Sequence, residues 1–339
     1  MSFKLSVETK RLHLAHTWTI ARNSSEYKDN VFVYIEKDGV TGMGEAAPNV
    51  RYKEDAATTM QRIRAVEEVL ARHSFFHYST LIPELRARIT DQNCAVAALD
   101  MAIFDWLGKT MGQPLHHIFG SDPARMPLTS YSIGIDTIEN MQKKVEEAAD
   151  MPIYKIKIGK DNDREIIRGI REVTDKPIRV DANEGWKDRE QALKQIEWLA
   201  GQNIEFVEQP MPEAQLTDTL WLKERSPLPL FADESVHTAR DIPRLAGAFH
   251  GINIKLMKSC GLLEGMCMVH TARAVEMQIM LGCMVESSLA ISAAAQLAPQ
   301  TDYIDLDGNL LLKHDPFSGL DQDGGRFRLS SLPGIGVNR

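Results

Sequence analysis

Residues 178–183 read Ile-Arg-Val-Asp-Ala-Asn, residues 204–210 read Ile-Glu-Phe-Val-Glu-Gln-Pro, and residues 230–235 read Leu-Phe-Ala-Asp-Glu-Ser. Each is a short apolar run closed by an acidic residue, and the carboxylates Asp181, Glu208 and Asp233 follow one another at 27 and 25 residues. That interval accommodates a strand, a loop, a helix and a second loop. The same grammar extends outward in both directions. Candidate buried strands lie at 129–135, 153–159, 251–256 and 278–282, with a weaker eighth at 303–306. Apolar strands alternating with helical stretches predict a parallel sheet covered by helices. Eight of them over about 190 residues predict an α/β fold of the (β/α)8-type barrel class. The alternative is an open doubly wound sheet, but no glycine-rich phosphate fingerprint follows any strand.

Upstream the pattern differs. Residues 3–15 and 30–37 alternate as strands do, Lys37-Asp38-Gly39 supplies a turn, and 40–46 read as a third strand. A polar loop is expected over roughly 16–29. Helices are expected over 55–71, 83–90 and 94–109, the last with Gly112 and Pro114 beyond its end. Residues 1–122 therefore predict an N-terminal α+β domain, and 123–315 the barrel with the active site. The tail, 316–339, is rich in Gly and Pro and predicts little regular structure.

Composition excludes several classes of function. Lys and Arg number 39 against 47 Asp and Glu, a net charge of −8. Such a chain is poorly suited to a phosphate backbone, so no nucleic-acid partner is expected. No apolar run approaches the roughly 18 residues that would span a bilayer. The N-terminus lacks the apolar core of a signal peptide, so no membrane partner is expected and the cytoplasm is the expected location. Cys94, Cys260, Cys267 and Cys283 form no CxxC and match no zinc spacing. All four sit in apolar stretches and are read as small buried hydrophobes.

In a barrel, chemistry gathers at the C-terminal ends of the strands. Three carboxylates brought together there would repel one another without a cation. A hard divalent ion with oxygen ligands resolves this, and Mg2+ is the usual choice. Asn183 and Glu234 fall just behind, in position to orient the ligands. Lys155 and Lys157 are two apart on one strand and so share a face. Their mutual repulsion and partial burial predict lowered pKa values, as proton abstraction near neutral pH requires. Lys255 closes the sixth strand, opposite the second in a ring of eight. A carboxylate held at the ion would then have a lysine on each side of its α-carbon. One lysine would remove a proton and the other return one to the opposite face, with the ion facing the enediolate charge between them. Lys258 is read as a loop or surface lysine.

Lys155-Ile-Lys157, Asp181-Ala-Asn183, Glu208-Gln-Pro210, Asp233-Glu-Ser235 and Ile254-Lys255-Leu256-Met257-Lys258 together resemble the enolase superfamily, in its muconate-lactonizing-enzyme subgroup. Gly44-Glu45-Ala46 and the stretch Ala98 to Asp105 support the resemblance, which covers essentially the whole chain. Superfamily sites with a lysine base and Mg2+ are a known pattern. The resemblance implies that the N-terminal domain caps the barrel and that the tail returns to complete it. Asp305-Leu-Asp307 narrows the reaction, because two aspartates on one face suit a substrate ammonium. Dipeptide epimerases of this family carry such a pair, which implies an L-Ala-D/L-Glu type of substrate. The same resemblance places Arg22 against a glutamate side chain and Ser132 in the pocket. Other reactions of the subgroup remain alternatives: N-acyl amino acid racemase, o-succinylbenzoate synthase and muconate cycloisomerase. A non-catalytic Mg2+-binding scaffold is the alternative from outside enzymology. The family's habit of oligomerising leaves a homo-oligomer open.

Overall fold

The computed structural model describes residues 3–20 and 24–339. An antiparallel sheet comes first, with β1 (Phe3–Thr19), β2 (Ser24–Lys37) and β3 (Val40–Ala46) in that order. Four helices follow: α1 (Ala56–Ala65), α2 (Glu67–Arg72), α3 (Tyr78–Arg88) and α4 (Asn93–Met111). The hairpin is longer than its sequence suggests. The expected polar loop over 16–29 is instead mostly strand, with Trp18 opposite Ser25 and Lys10 opposite Asn30. Apolar alternation cannot reveal this part, because the ribbon runs past the helices that would bury one face. Exposed pairs such as Arg11 with Asp29, at 2.8 Å, line it instead. Arg22 lies outside the described residues.

α4 is buried on every side: each residue from Cys94 to Gly108 is enclosed. Gly112, at φ 64°, ends it in the left-handed conformation. β3 packs against this helix at backbone contact distance. A Cβ on Gly44 would stand 1.9 Å from the Ala98 carbonyl oxygen, so no larger residue fits there.

The short helix α5 (Leu115–Ile118) leads into the second body. Eight parallel strands follow in sequential order: β4 (Tyr131–Ile133), β5 (Tyr154–Lys157), β6 (Ile178–Asp181), β7 (Ile204–Glu208), β8 (Leu230–Ala232), β9 (Gly251–Lys255), β10 (Gln278–Gly282) and β11 (Tyr303–Asp305). The ring closes through the parallel bridge between Thr129 and Ile304. The helices α6 (Ile138–Glu147), α7 (Asp163–Val173), α8 (Arg189–Ala200), α9 (Leu216–Lys223), α10 (Ile242–Leu245), α11 (Leu262–Ala274) and α12 (Ser288–Ala295) connect the strands. The fold is thus a (β/α)8 barrel carrying an N-terminal α+β cap, as expected. At the lower end of the barrel, Phe206, Phe231 and Met280 form their own packed cluster. The tail carries one element that the sequence did not suggest, a hairpin of β12 (Asp321–Asp323) and β13 (Arg326–Arg328).

Three buried carboxylates fasten the pieces together. Glu45, at the end of β3, accepts from the Ser287 amide at 3.0 Å and the Ala290 amide at 3.3 Å. It thereby caps the first turn of α12, where a negative charge is favoured. Asp100, within α4, accepts from the amides of Leu262 and Leu263 at 2.5 and 3.1 Å and does the same for α11. Asp105 accepts from Met43 in β3 and from Ile335 in the tail, both at 2.8 Å. Gly334 makes the last contact feasible: it has φ 77°, and a Cβ there would lie 2.2 Å from Asp105 Oδ1.

The Gly44→Ala variant is expected to lose about 2–3 kcal/mol of stability through overpacking. Gly201→Ala, where the nearest atom would be 3.6 Å away, is expected to stay within about 0.5 kcal/mol of the parent. Urea denaturation midpoints check both.

Candidate active site

The strand register brings the charged residues to one end of the ring. Lys157 pairs with Asp181, and Asp181 with Glu208, across β5, β6 and β7. Asp233 follows directly after β8, and Lys255 ends β9. Asp181, Glu208 and Asp233 are all buried, and each offers an oxygen within 4.8 Å of the others. Three hard anionic oxygens at that separation fit a divalent ion with oxygen preference, and Mg2+ among such ions.

Lysines balance this charge. Lys157 Nζ lies 2.6 Å from Asp181 Oδ2, and Lys255 Nζ lies 2.7 Å from Asp233 Oδ2. The two therefore flank the carboxylate cluster from opposite ends, on strands four places apart in a ring of eight. Both line a cavity under the cap. Trp18, from the end of β1, closes over it with its ring 6.0 Å from Lys157 Nζ. Burial works against charge on Lys255, but Asp233 outweighs it and raises the ammonium pKa above the ordinary range.

Lys155 departs from expectation. Its side chain does point inward like that of Lys157, but it is wholly buried. It lies 2.6 Å from both Glu208 Oε2 and Asp305 Oδ2, and 3.5 Å from Asp181 Oδ2. Burial disfavours the ammonium, yet Asp305, Glu208 and Asp181 prevail and raise its pKa rather than lower it. Repulsion from Lys157 is the lesser influence, because the carboxylates stand closer. Lys258 also corrects the reading from sequence. The chain turns back after β9, with the Lys258 amide bonded to the Lys255 carbonyl at 3.1 Å. This buries Lys258 Nζ at 2.5 Å from Asp233 Oδ1. No surface lysine stands there.

Asp305 and Asp307 both line the cavity, with unequal surroundings. Burial opposes charge on Asp305, but Lys155 and then Lys157 hold its carboxyl down at about 2. It also accepts from Ser130 Oγ at 2.7 Å and Ser132 Oγ at 3.3 Å. Asp307 accepts from the Ser132 amide at 2.5 Å. Burial, followed by the charge of Asp305, pushes Asp307 up to about 7. Ser132 therefore bonds both aspartates and reaches the cavity as well. Asn183 and Glu234 also line the cavity, joined at 3.4 Å.

Supporting residues besides Ser130 also escaped sequence reasoning. Asn253, inside β9, donates to Glu208 Oε1 at 2.7 Å. Its position mid-strand looked like ordinary polar filling, although its alternation with Lys255 was a usable signal. Gln209 accepts from the Asp233 amide at 2.9 Å and donates to Ser235 Oγ at 2.8 Å, tying the ends of two strands. The cysteine reading needs correction too. Cys94 and Cys260 are buried, but Cys267 is exposed on the outer side of α11, and Cys283 is half-buried at the cavity.

Comparison with known proteins agrees with this geometry. Residues 137–338 match the enolase C-terminal domain-like family, and residues 4–120 match the mandelate racemase / muconate lactonizing enzyme N-terminal domain. The L-Ala-D/L-Glu epimerase of Bacteroides thetaiotaomicron is 44% identical, over 98% of this chain and 87% of that one. A dipeptide epimerase from Cytophaga hutchinsonii, complexed with Mg and D-Ala-L-Val, superposes with a TM-score of 0.94 at 26% identity, covering 98% of this chain and 95% of that one. An N-succinyl Arg/Lys racemase from Bacillus cereus gives 0.93 at 26% identity, covering 100% and 95%. Matched in both of its parts, and aligned almost end to end with its relatives, this chain belongs to the mandelate racemase / muconate lactonizing enzyme family of the enolase superfamily.

Proposed function

We propose that this isomerase is a Mg2+-dependent dipeptide epimerase of the L-Ala-D/L-Glu type, inverting the α-carbon of the C-terminal residue. The observation that carries the reading is the pairing of Lys157 with Asp181 and of Lys255 with Asp233 at opposite ends of one carboxylate cluster, both facing one cavity. Asp181, Glu208 and Asp233 would hold the ion. Mg2+, when bound, supplies positive charge beside the substrate carboxylate, which makes the α-proton more acidic.

The rest of the reaction falls to side chains. Lys157 and Lys255 address opposite faces of the α-carbon, each through Nζ. One, as the free amine, takes the α-proton, leaving an enediolate. The other, as the ammonium, returns a proton to the far face, which inverts the centre. Lys155 stays beneath as a fixed positive charge, held by Glu208 and Asp305. Asp305 and Asp307 receive the free ammonium of the N-terminal residue, and Ser132 fixes both aspartates. Arg22, between β1 and β2 in the sequence and outside the described residues, would pair with the distal carboxylate of a glutamate side chain. Asn183 and Glu234 keep the acidic cluster oriented. Binding at both ends of the dipeptide positions the carbon between the lysines, so energy from remote contacts serves the chemistry. The apposed aspartates favour a dipeptide over an N-acyl amino acid, because acylation removes the ammonium they would bind.

Lys157→Ala and Lys255→Ala are each expected to lower epimerisation by about 10³-fold. Each variant is expected to retain α-deuterium exchange only with the stereoisomer that presents its proton to the remaining lysine, as read by NMR in D2O. Full epimerase activity in either variant would end the two-lysine scheme. In the same assay, deuterium should enter L-Ala-L-Glu and not N-succinyl amino acids. The reverse result would transfer the protein to the acyl amino acid racemases. Saturating Mg2+ should stabilise the protein by about 2–3 kcal/mol at 100 times its Kd. Glu208→Gln should lose that gain in thermal melting.

A further inference from the structure

Each carboxylate of the acidic cluster keeps its two oxygens in different company. Asp181 Oδ2 meets Lys157 at 2.6 Å, Glu208 Oε2 meets Lys155 at 2.6 Å, and Asp233 Oδ2 meets Lys255 at 2.7 Å. The other oxygen is tied each time by a group outside the proton transfers. Asp181 Oδ1 accepts from the Asn183 amide at 2.9 Å. Glu208 Oε1 accepts from Asn253 Nδ2 at 2.7 Å. Asp233 Oδ1 meets Lys258 Nζ at 2.5 Å.

The surrounding chain is shaped to make these ties. Asn183 has φ 44°, and the turn it makes carries its amide back to the side chain two residues before it. Asn253 stands two residues before Lys255 on β9, and so on the same face of the strand. A Cβ on Gly282 of the neighbouring β10 would lie 2.6 Å from the Asn253 side-chain oxygen, so glycine there leaves the amide its room. Lys258 arrives by the turn after β9. Asn93, the first residue of α4 in the cap, holds that turn by donating to the Lys258 carbonyl at 3.0 Å. Lys258 Nζ also donates to the Asp233 backbone carbonyl at 2.5 Å. One ammonium that bridges the carbonyl and the carboxylate of the same residue fixes the torsions of that side chain. Lys258 and Asn253 are both buried, where a hydrogen bond is stronger than in water.

Rotation of the carboxylates is what the ties resist. Ca2+ takes many oxygens and commonly uses both oxygens of one carboxylate, whereas Mg2+ is smaller and demands near-octahedral geometry. To offer both oxygens, Glu208 would have to leave Asn253, and Asp233 would have to leave Lys258. A buried amide and a buried ammonium would then stand unpaired, which is costly. We infer that Lys258 and Asn253 are positioning residues that restrict Asp233 and Glu208 to one ion-facing oxygen each, and that they thereby make the site select Mg2+ over Ca2+. This rests on the reading of the cluster as an ion site, and adds to it the side chains that decide which ion is preferred. It does not depend on which substrate is bound.

The test is a ratio of affinities, read without turnover. The whole chain, freed of metal, is titrated calorimetrically with MgCl2 and with CaCl2, and the Kd for Ca2+ is divided by that for Mg2+. The stoichiometry reports the folded fraction separately, so partial unfolding does not enter the ratio. The parent should favour Mg2+ by about tenfold or more. Lys258→Met and Asn253→Leu should each lower the ratio by about fivefold or more, the worth of one hydrogen bond to a charged group. Lys258→Arg, which keeps the cation, should restore most of it. A ratio within twofold of the parent in either variant overturns the inference, even where both ions bind more weakly, because equal weakening marks a merely structural role. If Lys258→Met does not fold, Asn253→Leu decides alone. A parent that binds both ions equally also overturns the inference. A parent that binds neither ion overturns the reading of the cluster as an ion site as well, so the two failures are told apart.

Discussion

Three carboxylates buried within 4.8 Å of one another are the constraint around which the molecule is arranged. Desolvating each costs several kcal/mol, and their mutual repulsion adds to that. Four lysines answer: Lys155 from below, Lys157 and Lys255 from the two ends, and Lys258 from the turn after β9. The cluster is therefore a lattice of opposite charges in which each acid has a basic neighbour. A divalent ion entering it competes with those ammonium groups for the same oxygens. Lys157 and Lys255, which face the cavity, are among the groups whose bonds change when metal arrives. Lys155 is wholly buried, and through Glu208 Oε2 at 2.6 Å it too shares the oxygens that would hold the ion.

The cap matters because it shields the cavity from bulk water, which strengthens the electrostatic interactions inside. Trp18 above Lys157 and the Lys28–Asn30 face of β2 bring the cap into the cavity wall. Their positions are set elsewhere, by Glu45 against α12 and by Asp100 against α11. Each couples a cap carboxylate to the amide end of a barrel helix. The helices on which they act follow β10 and β9, the strands that supply the Cys283 loop and Lys255. The cap is thereby referenced to the part of the barrel that carries Lys255 and the Cys283 loop.

Much of the barrel was legible because its strands are buried on both faces and read as apolar runs ending in charge. Asp181, Glu208 and Asp233 were visible through their spacing alone, since one strand–helix unit has a nearly constant length. What remained hidden depended on where the chain bends. Lys258 looked like a surface residue because nothing in its local sequence announces the tight turn that folds it onto Asp233. The outer half of the β1–β2 hairpin looked like a loop because its inward face meets the cavity, with Trp18 and Lys28, rather than an apolar core, so it has no apolar alternation. The sign of the Lys155 shift was misread for a related reason. A strand pattern shows the neighbour two positions away, but not Asp305 and Glu208, which arrive from other strands. Gln209 and Asn253 likewise act across strand ends, where one-dimensional spacing carries no signal.

Asp105 joins residues far apart in the chain: Met43 in the third strand and Ile335 near the end. During synthesis the first 120 residues emerge well before the barrel exists. The helix bearing Asp105 must then wait, with one of its amide partners missing, until the ring of strands has been made. The tail supplies that last amide, adding to the ties that Glu45 and Asp100 make with the barrel helices. A nascent chain stalled before that point would carry its strand-end lysines and carboxylates without that tie to the tail.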